Sequence, residues 1–166
     1  MRLRPIIGWA VFCFLFAIIA RAVPSPTAAF HFFNGKRLIY SRNYEAAISS
    51  YQKAVDANPK FARAHVEIGS INVALKNYDA AEVAFKKAMS AEEDSCAACG
   101  LGMVYRLQGK QAEAEAILRR SIELNRHDSC PYNQLGRLYY DREEYFKAAK
   151  AFDEEASLSV IDAIEV

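Results

Sequence analysis

The chain has 166 residues, 52% of them apolar, with 21 basic and 20 acidic side chains and a formal net charge of +1. Without the three arginines of its first 22 residues, 18 basic and 20 acidic groups remain, a balance of −2. Such a near-neutral chain carries no electrostatic footprint for nucleic acid or for a charged membrane surface.

The amino terminus differs from everything after it. Arg2 and Arg4 precede Ile6–Ala20, fifteen residues without a charge, and Ala20-Arg21-Ala22 has the small-x-small form of a cleavage site. A basic start, an apolar middle and a small-residue end form the grammar of a secretory signal peptide over residues 1–22. The apolar run is short for a membrane span, which needs about 20 residues. The alternative is an uncleaved anchor, with Arg21 snorkelling to the far interface and the basic start held inside. Either way the rest of the chain is exported. It would be periplasmic, or anchored at the inner membrane with its bulk on the extracytoplasmic side. Residues 23–27 hold Pro24 and Pro26 and read as a linker, with Thr27 a candidate cap for the first helix.

From Ala28 onward the chain repeats itself. Gly35, Gly69, Gly102 and Gly136 recur at spacings of 34, 33 and 34 residues. A period near 34 is that of a helix–turn–helix solenoid, in which stacked pairs bury a continuous core. Four units follow, at about 28–61, 62–94, 95–128 and 129–160, with 161–166 as a tail. Ala47, Tyr51, Ala54 and Val55 share one face of a helix, as do Ala114, Leu118, Ser121 and Ile122. Asn43-Tyr44, Asn77-Tyr78, Gly109-Lys110 and Glu144-Tyr145 mark the turns inside the pairs. Asp94 and Asp128 are candidate caps, and Asn58-Pro59 ends a helix. Glycine inside a helix costs about 1 kcal/mol relative to alanine. Paying that four times implies close helix approach, for which Ala47, Ala81, Ala114 and Ala148 offer matching small surfaces.

The first unit reads His31-x2-Asn34-Gly35-x2-Leu38, Ala47-x3-Tyr51, Ala54, Pro59, and the fourth reads Tyr132-x2-Leu135-Gly136-x2-Tyr139, Ala148-x3-Phe152. The second and third, around Gly69–Phe85 and Gly102–Leu118, follow the same plan. This resembles the tetratricopeptide repeat, W-x2-L-G-x2-Y, A-x3-F, P. No unit keeps the tryptophan, and only the first keeps the proline. The resemblance implies an all-α, right-handed solenoid of about four repeats whose concave groove is lined by the first helix of each pair. On this chain that implied groove is Phe32, Lys36, Ile39 and Tyr40; Arg63, Val66, Ser70 and Val73; Met103 and Arg106 beside Cys96 and Cys99; and Asn133, Arg137 and Tyr140 beside Cys130. Its mixture suits a peptide that is partly apolar and partly acidic. The family's clamp for C-terminal carboxylates is not reproduced, because Glu67 has the wrong sign at one of its positions.

No catalytic set stands out. His31 and His65 occupy a packing position, and His127 sits in a turn. There is no glycine-rich phosphate loop, no G-x-S-x-G and no metal-type histidine pair. No cofactor is expected. The resemblance also bears on the cysteines. Successive first helices of the family are offset by about one turn, which sets Cys99 beside Cys130 and leaves Cys96 free at the groove. Three reduced thiols are the alternative, since free cysteine often serves as a small apolar residue.

The resulting expectation is a non-catalytic scaffold that binds a segment of another protein within an extracytoplasmic, envelope-type assembly. Two rivals stand beside it. One is a thiol redox or metal module on Cys96, Cys99 and Cys130, which would be an incomplete zinc site. The other is a self-associating subunit using the apolar end of the chain, where no polar capping helix is evident.

Overall fold

The computed structural model describes residues 26–164, with side chains described as far as residue 158. The expected signal or anchor at residues 1–22, the start of the linker and the side chains of the tail lie outside the described residues. The eight described helices form four antiparallel pairs. They are α1 Pro26–Tyr40 with α2 Tyr44–Ala57, and α3 Ala62–Ala74 with α4 Tyr78–Ala91. Then come α5 Ser95–Leu107 with α6 Gln111–Leu124, and α7 Ser129–Asp141 with α8 Tyr145–Ile164. No strand occurs among the described residues.

Two boundaries differ from expectation. Pro26 and Thr27 belong to α1 rather than to a linker. Proline fits the first turn of a helix, where its missing amide hydrogen would have had no partner. At the other end α8 continues through Ile164, so residues 161–164 extend the last helix instead of forming a separate tail.

All four turns inside the pairs use one device. Arg42, Lys76, Gly109 and Glu143 adopt left-handed backbone with φ of 55°, 62°, 77° and 62°. The amide of the next residue reaches back to the last turn, as in Asn43 N to Leu38 O at 3.1 Å and Lys110 N to Tyr105 O at 2.8 Å. This is the Schellman closure, which satisfies carbonyls that a helix end leaves open. Only Gly109 advertises it in sequence. Between pairs, Asp94 Oδ2 accepts from Ala97 N at 3.3 Å and Asp128 Oδ1 from Cys130 N at 3.0 Å, so both act as caps.

The glycines meet the large residues of the partner helix, not its alanines. A Cβ on Gly35 would lie 2.7 Å from the Tyr51 ring, on Gly69 2.8 Å from Phe85, on Gly102 2.5 Å from Leu118 and on Gly136 2.5 Å from Phe152. Each large side chain therefore lies flat against bare helix backbone. Tyr51, Phe85 and Leu118 are fully buried as a result. Gly100 makes a second such seat, with its Cβ position 2.4 Å from Phe85, between successive pairs.

Polar links tie neighbouring pairs together. Glu115 accepts from Arg142 at 2.6 Å, from Tyr139 at 2.9 Å and from Arg119 at 2.9 Å. Burial alone would raise its pKa, but the hydrogen bonds from Arg119, Arg142 and Tyr139 outweigh this and hold it down to about 2. Glu82, bonded by Lys86 and Lys110 at 2.7 and 2.9 Å, is likewise held to about 2. A carboxylate depressed on folding stabilises the fold above its unfolded pKa, and that contribution disappears as pH falls towards the folded value. The melting temperature is thus expected to drop between about pH 5 and pH 2, taking an unfolded glutamate pKa of about 4.3. Glu115→Gln should flatten that slope in melting curves taken across the range. An unchanged acid limb would remove Glu115 as its source.

Candidate functional site

The first helices contact one another directly, α3 with α5 and α5 with α7, whereas the second helices show no comparable mutual contact. Elements that lie closer together form the inside of a curve. The concave side therefore belongs to α1, α3, α5 and α7.

A cleft of about 370 Å³ opens on this side between the starts of α3 and α5. Arg63, Val66 and Cys96 line it with Glu67, Glu92 and Asp94. Three expected groove positions are thus brought together, in surroundings more acidic than expected. The cations nearby are largely occupied. Lys36 pairs with Glu67 at 3.6 Å, and both Lys36 and Arg63 sit over the Phe32 ring, at 5.6 and 5.8 Å from its centroid.

Other expected groove residues are placed differently. Phe32 is only 4% exposed and packs on Tyr51 and Phe61 with centroids 5.4 and 5.0 Å away, so it is core and not floor. Ile39 is half-buried against the first pair's core, and Val66 and Val73 lean on the second cluster. Arg106 is not a free groove charge. It bonds Asp141 at 2.9 Å, bridging α5 to the end of α7, with its side chain 14% exposed. Asn133 donates to both oxygens of Glu155 at 2.9 and 3.0 Å. Ser70 donates to Val66 O within α3. Met103 is half-buried, whereas Tyr40, Arg137 and Tyr140 are exposed, with Tyr140 edge-on to Tyr145. The acidic members of the cleft, Glu92 and Asp94, lie in the turn before α5. A groove list confined to first helices cannot reach them; the acidic run Glu92-Glu93-Asp94 was the available signal.

Cys99 and Cys130 are joined, with S–S 2.14 Å and Cα–Cα 6.4 Å, so the bond ties α5 to α7. Cys96 is free and exposed. Desolvation within the cleft, followed by the neighbouring carboxylates Asp94 and Asp128, pushes its thiol up from the ordinary value. A thiol kept protonated is a poor nucleophile. Two of the three sulfurs are thus bonded to each other, and the third is a thiol held protonated. His65 is buried, and burial pulls its pKa down. This is the behaviour of a packed histidine. No helix among the described residues is long and apolar enough to cross a membrane.

Comparison with known proteins agrees with this architecture. One tetratricopeptide repeat model matches residues 34–95 and another matches 97–127, together over half of the chain. Anaphase-promoting complex subunit 3 of Schizosaccharomyces pombe is 27% identical over 118 residues, covering 70% of this chain. The match spans only 18% of that protein's length. Among solved structures, MamA superposes with a TM-score of 0.71 at 22% identity, covering 89% of this chain and 86% of its own. YrrB, described as a TPR protein with an unusual peptide-binding site, superposes with a TM-score of 0.63 at 24% identity, covering 77% of this chain and 66% of its own.

Proposed function

Because this chain belongs to the tetratricopeptide repeat family, we propose that it is a non-catalytic scaffold holding a segment of another protein against its concave face. The observation that carries this reading is the cleft between α3 and α5, where Val66 offers apolar surface beside Glu67, Glu92 and Asp94. With Lys36 already drawn to Glu67, Glu92 and Asp94 outnumber Arg63, so the net charge of the cleft is acidic. The segment it suits mixes apolar and basic side chains, a change from the acidic peptide that the sequence alone suggested. Stacked helix pairs bind through such extended concave surfaces.

An extracytoplasmic setting is part of the proposal. The sequence of residues 1–22 motivates it, and the Cys99–Cys130 bond supports it, because disulfides persist in oxidising compartments. The thiol redox and metal reading is disfavoured by the pairing of two of its three sulfurs with each other.

Two exposed charges make the test two-sided. Glu92→Lys should weaken capture of the partner through lost attraction and added repulsion, while Arg63→Glu should leave it intact or strengthen it. Both should keep wild-type helicity by circular dichroism. Capture from the native envelope fraction, quantified by mass spectrometry for both variants, reads the outcome. Loss with Arg63→Glu but not with Glu92→Lys would reverse the sign of the proposed segment. No change in either would move the site elsewhere.

A further inference from the structure

The two ends of the solenoid depart from its internal interfaces in opposite ways. Inside the stack, each first helix is roofed by the preceding pair. Ala64, Ala97 and Pro131 are buried at one position of that roofed face, and Ile71, Val104 and Leu138 at another. Ala64 and Ile71 share a cluster with Val55 and Ile48 of α2, which identifies the contact between pairs. On α1 the equivalent residues are Phe30 and Arg37, and both are exposed. Phe33 lies between them and, like Phe30, is 68% exposed.

The last helix shows the reverse. Its residues equivalent to Ile48 and Val55 are Ala149 and Ala156, both exposed, flanking the half-buried Phe152. Within the stack the first helix is small at this position, as at Ala64, and the preceding second helix brings the larger Val55 into the same cluster. At the ends the sizes are exchanged, with large Phe30 on α1 and small Ala156 on α8. The two ends also differ in charge. The exposed edge of the first pair carries Arg37 on α1 and Arg42 in the turn after it, and that of α8 carries the exposed Asp153. The internal second helices put Gln52, Lys86 and Arg119 at that position instead.

We propose that this chain associates with itself head to tail, the α1 face of one copy seating on the α8 face of the next so that the solenoid continues across the junction. Phe30 and Phe33 take the place of a roofed helix face over Ala149, Phe152 and Ala156, with Arg37 and Arg42 opposite Asp153. The contact is heterologous, so it propagates into rings or filaments rather than closing as a dimer. It uses the ends of the stack, not the concave cleft, and stands or falls separately from the partner-binding reading.

Cross-linking of the full chain in its native membrane or envelope fraction tests the junction. In a background of Cys13→Ser and Cys96→Ser, one sample carries Arg37→Cys, a second carries Ala149→Cys and a third carries both. A short bis-maleimide, which adds one thiol at each end, should give dimers when the first two are mixed, at least tenfold above either alone, and a ladder of higher species in the third. Phe33→Glu added to the third should collapse the ladder by a similar factor while helicity is kept. Equal cross-linking of Arg37→Cys alone would show two α1 faces meeting each other and overturn the proposal. Absence of cross-links in all samples would overturn it too, leaving residues 1–25 or another protein as the cover of α1.

Discussion

Gly102→Leu is expected to be the most damaging single substitution in the chain. The site has no room. A Cβ at residue 102 would stand 2.5 Å from Leu118 Cγ, 2.6 Å from Cδ2 and 3.1 Å from Ile117 Cγ2. Leu118 cannot swing aside, because it is fully buried in the cluster formed with Ala114, Leu135, Leu138 and Tyr139. Forcing side chains into a filled core costs about 1–3 kcal/mol, and more when neighbours are fixed. The gain in helix propensity, about 1 kcal/mol for replacing glycine, offsets only part of this. Position matters as well. Pairs support only their neighbours, so damage between α5 and α6 uncouples the first half of the solenoid from the last pair. A lower and broadened thermal transition is expected. The control is Ala116→Leu on the exposed side of α6, which should change little. A melting curve for Gly102→Leu that overlays the wild type would refute the assigned packing.

Removing the Cys99–Cys130 bond should have the second largest effect. It closes a loop with a sequence separation of 31 between elements of different repeats. Constraining the unfolded chain over such a span is worth about 2–4 kcal/mol. Cys130→Ser is the cleaner variant, because Cys130 is exposed whereas Cys99 is 1% exposed in the core. Its loss should lower the melting temperature and loosen α7 and α8 relative to the first three pairs, read by hydrogen exchange. Adding reductant to the wild type should reproduce the change and leave Cys130→Ser unaffected. Thiol titration of the unfolded, unreduced protein lacking residues 1–22 should find one reactive group, Cys96. Peptide mapping must then join Cys99 to Cys130. Three reactive thiols would show that the protein is made without the bond.

The sequence by itself determined the fold. Four glycines at spacings of 34, 33 and 34, each followed by Ala-x3-large, repeat one local instruction, and a repeated local instruction has one stacking solution. Capping at Asp94 and Asp128 was equally legible, because a side chain bonding the amide two or three residues ahead is a local event. The left-handed turns were legible only at Gly109. At Arg42, Lys76 and Glu143 the surrounding helices impose the conformation against the residue's own preference.

Only the tertiary structure decided which face each groove residue shows and which charges remain free. Phe32 reads as a groove aromatic until Tyr51 and Phe61 are seen closing over it. Arg106 reads as a groove cation until Asp141, 35 residues away, neutralises it. Helical periodicity fixes a residue's angle about its own helix, but not what the next pair places opposite that angle. The concave surface and the junctions along the stack are made of such oppositions between pairs. Their chemistry is therefore a property of the stack, while the helices that compose it are already written in each repeat.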